Sequence, residues 1–145
     1  MKLPEYITIE EVKRVCSEIG LRDWSEIADP AVSDDEASTI LNIVNTKEMV
    51  IPLEAFRKGL EVELEHGTRL EDANVTNNHP VLTGKIVIAH LKETMDYYER
   101  IDIAEMEGDL LKAIQSRNIE KIELKYKKLL EAQNLLNQII LNQLK

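Results

Sequence analysis

Apolar residues recur along this chain at intervals of three and four, the spacing that gathers side chains on one face of an α-helix. Ile9, Val12, Val15, Cys16 and Ile19 form the first such stripe. Thr8 stands before it with Glu11 three residues on, a capping-box signature, and Gly20 follows it as a left-handed stop. Asp23 to Ile27 reads as a short helical turn carrying Trp24. Ser33 and Glu36 form a second capping box ahead of Ala37, Ile40, Leu41 and Val44. Pro52 suits the first turn of a third helix, with Leu53, Phe56, Leu60 and Leu64 on its core face and Gly67 as its expected end.

Residues 67–79 are expected to form the longest loop. Asn74, Thr76, Asn77 and Asn78 in it are all turn formers. Pro80 opens a fourth helix, with Asn78 or His79 near its cap. Val81, Leu82, Ile86, Ile88, Ala89, Leu91 and Met95 spread over much of its circumference, which predicts a central, buried helix. A bend is expected near Asp96. The helical pattern resumes through Ile103, Met106, Leu110, Leu111 and Ile114, and breaks at Ser116-Arg117-Asn118. A last helix then runs to about Leu144, roughly 40 Å at 1.5 Å per residue. The fold class is all-α, a bundle of about five helices with a long C-terminal helix. Residues 1–106 are expected as a compact domain, and residues 107–145 as a helical extension that packs on it or serves oligomerisation.

Composition agrees with helices and narrows the function. Five Gly and four Pro in 145 residues leave little punctuation for many short strands. Aromatics are 4%, so Leu, Ile, Val, Ala and Met must build the core. The formal net charge of −9 opposes direct nucleic-acid binding, which needs a basic face. Lys121, Lys125, Lys127 and Lys128 read as one solvated helix face. The single Cys16 sits on an apolar face and reads as a small buried hydrophobe, in keeping with a reducing, cytoplasmic setting. The first five residues hold no apolar leader core, and no apolar run reaches the 18 residues of a membrane span. Asn74-Val75-Thr76 spells a glycosylation acceptor, taken as a coincidence of loop composition.

The C-terminal helix departs from the rest in its polar residues. Gln133, Asn134, Asn137, Gln138, Asn142 and Gln143 are all neutral. Positions 122, 126, 129, 136 and 140 approximate a heptad seam with Gln133 as a polar insert. Packing on its own domain and pairing in a homodimer are both open at this point, and a neutral Asn/Gln face tolerates contact better than a charged one.

Candidate chemistry concentrates in residues 61–98. Glu63 and His66 are spaced Glu-x-x-His, so both fall on one helix face and suit a divalent metal such as zinc, iron or manganese. His90 and Glu93 repeat the pair in reverse on the next helix, the order that brings two antiparallel helices' pairs together. Asp72 and His79 in the connecting loop are further candidate ligands. The same residues have a structural reading. His66 beside Gly67 suits a helix C-terminus, where an imidazole bonds free carbonyls, and His90 suits a buried bond to a carboxylate or tyrosine. Four-helix di-metal proteins need two forward Glu-x-x-His motifs and two bridging glutamates, which this chain lacks. It holds no His-Glu-x-x-His motif, glycine-rich phosphate loop or nucleophile elbow. Gly59 and Gly84, inside helices, are expected to permit close helix contact.

The blocks Glu63-Leu64-Glu65-His66-Gly67, Asn74-Val75-Thr76-Asn77, Leu82-Thr83-Gly84-Lys85-Ile86, and Ala89-His90-Leu91-Lys92-Glu93 followed by Asp96-Tyr97-Tyr98 occur in one order. That series resembles a family of small uncharacterised prokaryotic and phage proteins, a domain of unknown function, over residues 52–106. The resemblance implies no catalytic residue. It implies that Glu63, His66, Asn74, Thr76, His90, Glu93 and Tyr97 belong to one unit, with Asn74, Thr76, Asn77 and Tyr97 as a structural or binding loop. An acidic residue would be expected before the loop proline, where this chain has His79. The first expectation for function is a non-enzymatic binding or assembly module, with a protein partner or homo-oligomer formed through the C-terminal helix. The alternative is a metal-binding helical protein using Glu63, His66, His90 and Glu93 in redox or hydrolytic chemistry.

Overall fold

A computed structural model describes residue 4 and residues 6–144. Residues 1–5, read from the sequence as holding no apolar leader core, lie largely outside the described residues. Those described form six α-helices and no strand: α1 (Ile9–Ile19), α2 (Asp34–Val44), α3 (Leu53–Arg69), α4 (Pro80–Glu93), α5 (Tyr97–Gln115) and α6 (Ile119–Gln143). Single 3-10 turns occur at Trp24–Glu26 and Glu71–Ala73. The fold is all-α, as the periodicity predicts. The bend expected near Asp96 is a full break, which makes six helices rather than five. Among the described residues no helix is long and apolar enough to cross a membrane.

The chain divides into two compact units, Met1–Met95 and Asp96–Lys145. Residue 106, the boundary read from the sequence, lies inside α5. In the first unit α2, α3 and α4 pack against one another, and α1 lies on α4 and the first 3-10 turn. Val12, Cys16, Trp24, Ala37, Ile40, Phe56, Leu60, Leu64 and Val87 are almost completely buried. Each large apolar side chain among them contributes roughly 1.5–3 kcal/mol relative to exposure.

Local signals explain the helix ends. Ser33 Oγ accepts from Glu36 N at 3.2 Å while the Glu36 carboxylate accepts from Ser33 N at 3.0 Å, a complete capping box. The expected box at α1 is half formed. Thr8 Oγ1 accepts from Glu11 N at 3.2 Å, but the Glu11 carboxylate turns to Arg14, with both oxygens at 2.8 Å from the guanidinium. A bidentate guanidinium bond outcompetes a return to the backbone. Gly20, at φ 74°, closes α1, with Leu21 N donating to Cys16 O at 2.8 Å. That pairing is a Schellman stop. Gly67 does not end α3, which runs on to Arg69.

The buried face of α4 is narrower than its composition suggests. Pro80, Thr83, Gly84, Val87, Ile88 and Leu91 face inward, while Ile86 and Ala89 are exposed. Gly84 is there for close approach. A Cβ on it would stand 2.5 Å from Ile40 Cγ2 and 3.4 Å from Phe56 Cζ.

In the second unit α5 and α6 form a helical hairpin. Arg117 takes the left-handed conformation at the connection, and Asn118 Oδ1 caps α6 by accepting from Lys121 N at 2.9 Å. Lys125 Nζ and Asp109 Oδ2 clasp the two helices at 2.6 Å. α6 packs along α5, so the seam read from the sequence is used within the chain. Leu129 is buried and Ile122, Leu136, Ile140 and Gln133 are half-buried, but Tyr126, assigned to that seam, is exposed. Asp96, ahead of α5, gives no side-chain cap to the helix, because its carboxylate accepts from Arg100 Nε at 3.0 Å and Nη2 at 2.9 Å.

Candidate functional site

A partly open cavity of about 200 Å³ lies in the first unit, between α3, α4 and the loop joining them. Glu63, His66 and Gly67 from α3, Ala73, Asn74, Val75 and Thr76 from the loop, and Thr83 and Ile86 from α4 line it. Helical spacing explains the first and last groups. Glu63, His66 and Gly67 follow an i, i+3, i+4 pattern, as do pairs three apart on α4.

Glu63 is the centre of the chemistry. Its side chain is 13% exposed. One carboxylate oxygen lies 3.5 Å from His90 Nε2, and the other 3.7 Å from His66 Nδ1. The forward and reversed Glu/His pairs therefore meet, through Glu63 alone. His66 is largely exposed, and its Nδ1 also lies 3.2 Å from the Glu63 carbonyl oxygen, one turn back in α3. That contact is the bond of an imidazole in a last helical turn. Glu93 is exposed at the end of α4, and Asp72 is exposed in the second 3-10 turn. Among the described residues no group of three or more His, Cys, Asp or Glu is placed to hold a metal ion.

His79 has a different place from the other two histidines. It is buried at the N-cap of α4, where Nδ1 accepts from Leu82 N at 3.4 Å. Eleven residues of helix separate it from His90, roughly 16 Å at 1.5 Å per residue. The three histidines do not meet. Accepting at Nδ1 requires a neutral ring, and burial pushes the His79 pKa below its ordinary value.

The asparagines hold the loop in place. Asn74 Nδ2 donates to Asn78 Oδ1 at 3.3 Å, and Asn78 Nδ2 donates to Trp24 O at 3.3 Å. Asn77 Nδ2 donates to Ile7 O at 2.6 Å. Asn77 and Asn78 both have positive φ, 48° and 60°, the region that Asn visits more readily than other residues with a Cβ. Thr76 supplies the carbonyl that accepts from His79 N at 3.0 Å and turns the chain into α4. Tyr97 belongs to the second unit, where its ring packs edge-on against Tyr98 with centroids 5.3 Å apart.

Gly67, Ala73, Val75, Thr83 and Ile86 are cavity residues that the sequence reading did not single out as a site. Thr83 carried a signal: it is polar on the stripe 80, 83, 87, 91 that the helix buries. Its hydroxyl donates to His79 O at 3.0 Å. Gly67 carried the opposite signal, since a glycine beside a histidine suggests a helix end. Cys16 is buried with its thiol pKa pushed up by burial, so it is not an activated nucleophile.

No curated protein and no solved structure matches the chain significantly. One family model does match, over residues 12–107. The match takes in α1 from Val12, the whole cavity and the first part of α5, and it extends the resemblance read over residues 52–106 toward the N-terminus. The chain belongs to DUF5661, a family of proteins of unknown function.

Proposed function

We propose that this protein is an assembly module that pairs with a second copy of itself through the α5–α6 hairpin, two hairpins making a four-helix bundle. The observation that carries this is the exposure along α6. In 25 helical residues only Leu129 is fully buried. Ile119, Tyr126, Leu130, Leu141 and Leu144 are 71%, 53%, 44%, 60% and 79% exposed. Their spacing of 7, 4, 11 and 3 keeps them within one stripe of the helix, and two further leucines of α6, Leu124 and Leu135, are about half exposed outside it. Leu111 and Ile114, at the end of α5, are also about half exposed.

Single exposed leucines are ordinary, but a stripe of them marks a contact surface. These seven residues offer on the order of 500 Å² of apolar side chain. A standard interface of about 800 Å² per partner, about 65% apolar in homodimers, asks for the same amount. Charge favours a second copy as the occupant. Residues 132–144 contain no ionisable side chain in a chain that is 31% charged. Two copies of a −9 protein would repel through most surfaces, and this stretch removes that repulsion from the contact. A two-helix hairpin has one covered face, and pairing of two hairpins is how four-helix bundles cover the other.

Sedimentation equilibrium of the wild type and of a Leu130→Glu/Leu141→Glu variant tests the reading. The expected result is a dimer that becomes a monomer of unchanged helicity on substitution. A wild type that stays monomeric at its highest soluble concentration overturns it. The metal-binding alternative draws support only from the approach of Glu63 to His66 and His90, and elemental content of protein purified without chelator tests it. Placement in the cytoplasm draws support from the single, buried Cys16.

A further inference from the structure

We infer that Asn137 sets the register of hairpin pairing, its side-chain amide meeting the same amide of the second copy at the two-fold axis. This role rests on the pairing proposed above and names the residue that makes it specific.

Spacing places Asn137 on a seam. Leu130, Asn134, Asn137, Leu141 and Leu144 follow one another at intervals of 4, 3, 4 and 3, the alternation that lines one edge of a helix facing a partner helix. All five are exposed in the single chain. The packing of α6 on α5 uses another face, with Leu129 buried and Ile122, Leu136 and Ile140 half-buried.

Charge confines the contact to this part of the helix. Residues 132–144 hold no ionisable side chain, whereas toward the N-terminus the same spacing reaches Lys127 and Glu123. A charge that faces its own copy is repelled, so the seam is closest between Leu130 and Leu144. Asn137 is the midpoint of that stretch. A two-fold axis along the helices brings residue 137 to its counterpart by symmetry. An axis across the helices does the same where it centres the uncharged seam on itself.

The amide suits a symmetric position. It carries both donor and acceptor, so Nδ2 of each copy can donate to Oδ1 of the other. A lysine or glutamate there would repel its copy, and a leucine would pack equally well against any leucine of the seam. A slip of one heptad sets each amide against Leu130 or Leu144 of the second copy and leaves it buried without a partner. That disfavours the slipped arrangement about tenfold or more for each amide. A single polar residue in an apolar seam thus fixes register and oligomer size at some cost in affinity.

Three substitutions in the full chain test this by sedimentation equilibrium and disulfide trapping. Asn137→Asp, isosteric and exposed in the single chain, is expected to raise the dimer dissociation constant about tenfold or more at pH 7, because two carboxylates then face each other. Asn137→Leu is expected to tighten association and to add species larger than the dimer. Asn137→Cys is expected to form an intermolecular disulfide with copper phenanthroline as oxidant, which requires the two Cα atoms to approach within about 7 Å. The wild type, whose one thiol is the buried Cys16, is the blank. A wild-type dimer whose dissociation constant is unchanged by Asn137→Asp, or in which Asn137→Cys forms no cross-link, overturns the register and leaves the pairing standing. A monomeric wild type overturns both.

Discussion

Asn78 Oδ1 lies directly over Gly67 of α3, so close that a Cβ built on Gly67 would stand 1.7 Å from it. The amide there bridges three parts of the first unit. It touches α3 at Gly67, receives Asn74 Nδ2 from the loop, and donates to Trp24 O in the 3-10 turn. An alanine at 67 must therefore displace a buried polar side chain that has partners on both ends. The helix itself gains up to about 1 kcal/mol from Gly→Ala. Losing two buried hydrogen bonds and their desolvated partners costs about 1–3 kcal/mol each. Gly67→Ala is expected to lower the unfolding free energy by roughly 2–4 kcal/mol, read by urea denaturation. An unchanged midpoint would show that Asn78 relocates without cost. Asn78→Ala in the Gly67→Ala background should then cost little more, because both changes remove the same bonds.

His79 gives the first unit a pH dependence of definite sign. Burial lowers its pKa in the folded chain from the 6.5 of a free histidine, with the Glu11 carboxylate opposing and Arg14 and Lys85 adding to the shift. Below pH 6.5 the unfolded chain takes up a proton that the folded chain refuses, so stability falls with falling pH until the folded value is reached. Above pH 6.5 the contribution is complete. Protonation also removes the acceptor that caps Leu82 N, a loss of about 0.5–2 kcal/mol for a helix N-cap. The melting temperature of the wild type is expected to drop between pH 7.5 and pH 5. His79→Asn keeps a capping side chain without the titration, and its profile should be flatter over that range. Parallel profiles for the two proteins would remove His79 as the cause.

These two histidine and glycine positions show what a linear pattern can and cannot carry. Ser33 with Glu36, Gly20 and the stripe Phe56, Leu60, Leu64 are local features, set by neighbours three or four residues away, and each was legible. Thr8 with Glu11 shares the Ser33–Glu36 spacing, yet Arg14 captures the Glu11 carboxylate, a competition that the motif does not encode. Glu63 with His66 and His90 was legible as a chemical group because helix spacing and reversed order point to one meeting place. Gly67 looks like a helix end in sequence because its reason is a contact with Asn78, eleven residues away around a loop. His79 entered as a candidate ligand because imidazole is ambiguous by type. Only its position at the N-terminus of α4, opposite His90, separates a cap from a ligand. Thr83 and Ile86 became cavity residues through the phase of α4, which its evenly distributed apolar residues left unset.

The sole tryptophan, itself buried, reports a second network that reaches the surface. Trp24 Nε1 and Arg22 Nε both donate to Glu36 Oε1 at 3.0 Å, while Oε2 accepts from Ser33 N and Oγ. Burial raises the Glu36 pKa, but the Trp24 and Ser33 hydrogen bonds and the Arg22 charge outweigh it, and the net shift is downward from 4.5. The carboxylate therefore stabilises the fold above pH 4.5, and this contribution is lost as pH falls through the folded value. Glu36→Gln places an amide NH₂ where one oxygen receives a donor, and is expected to cost about 1–3 kcal/mol at neutral pH. Denaturation followed by Trp24 fluorescence measures it. The gap between the two proteins should narrow at acidic pH, where the wild-type carboxyl is protonated too. A constant gap would mean that shape, not charge, is what Glu36 contributes.

The proposed pairing of the α5–α6 hairpins would make stability depend on protein concentration. Association that occurs only in the folded state draws the unfolding equilibrium toward it by mass action. A tenfold rise in concentration adds about 1.4 kcal/mol per dimer, which for chains of this length raises the midpoint by roughly 2–4 °C. The α6 transition should therefore move upward with concentration in the wild type and stay fixed in the Leu130→Glu/Leu141→Glu variant. The first unit supplies an internal reference. Its core of Trp24, Phe56, Leu60 and Leu64 is closed without a partner, so Trp24 fluorescence should melt at a temperature independent of concentration wherever the two units unfold separately. Circular dichroism, which weights the long helix α6, then carries the shift and fluorescence does not. A wild-type circular-dichroism midpoint that is flat over a hundredfold range would mean that the exposed stripe of Tyr126, Leu130 and Leu141 is not covered by a second copy.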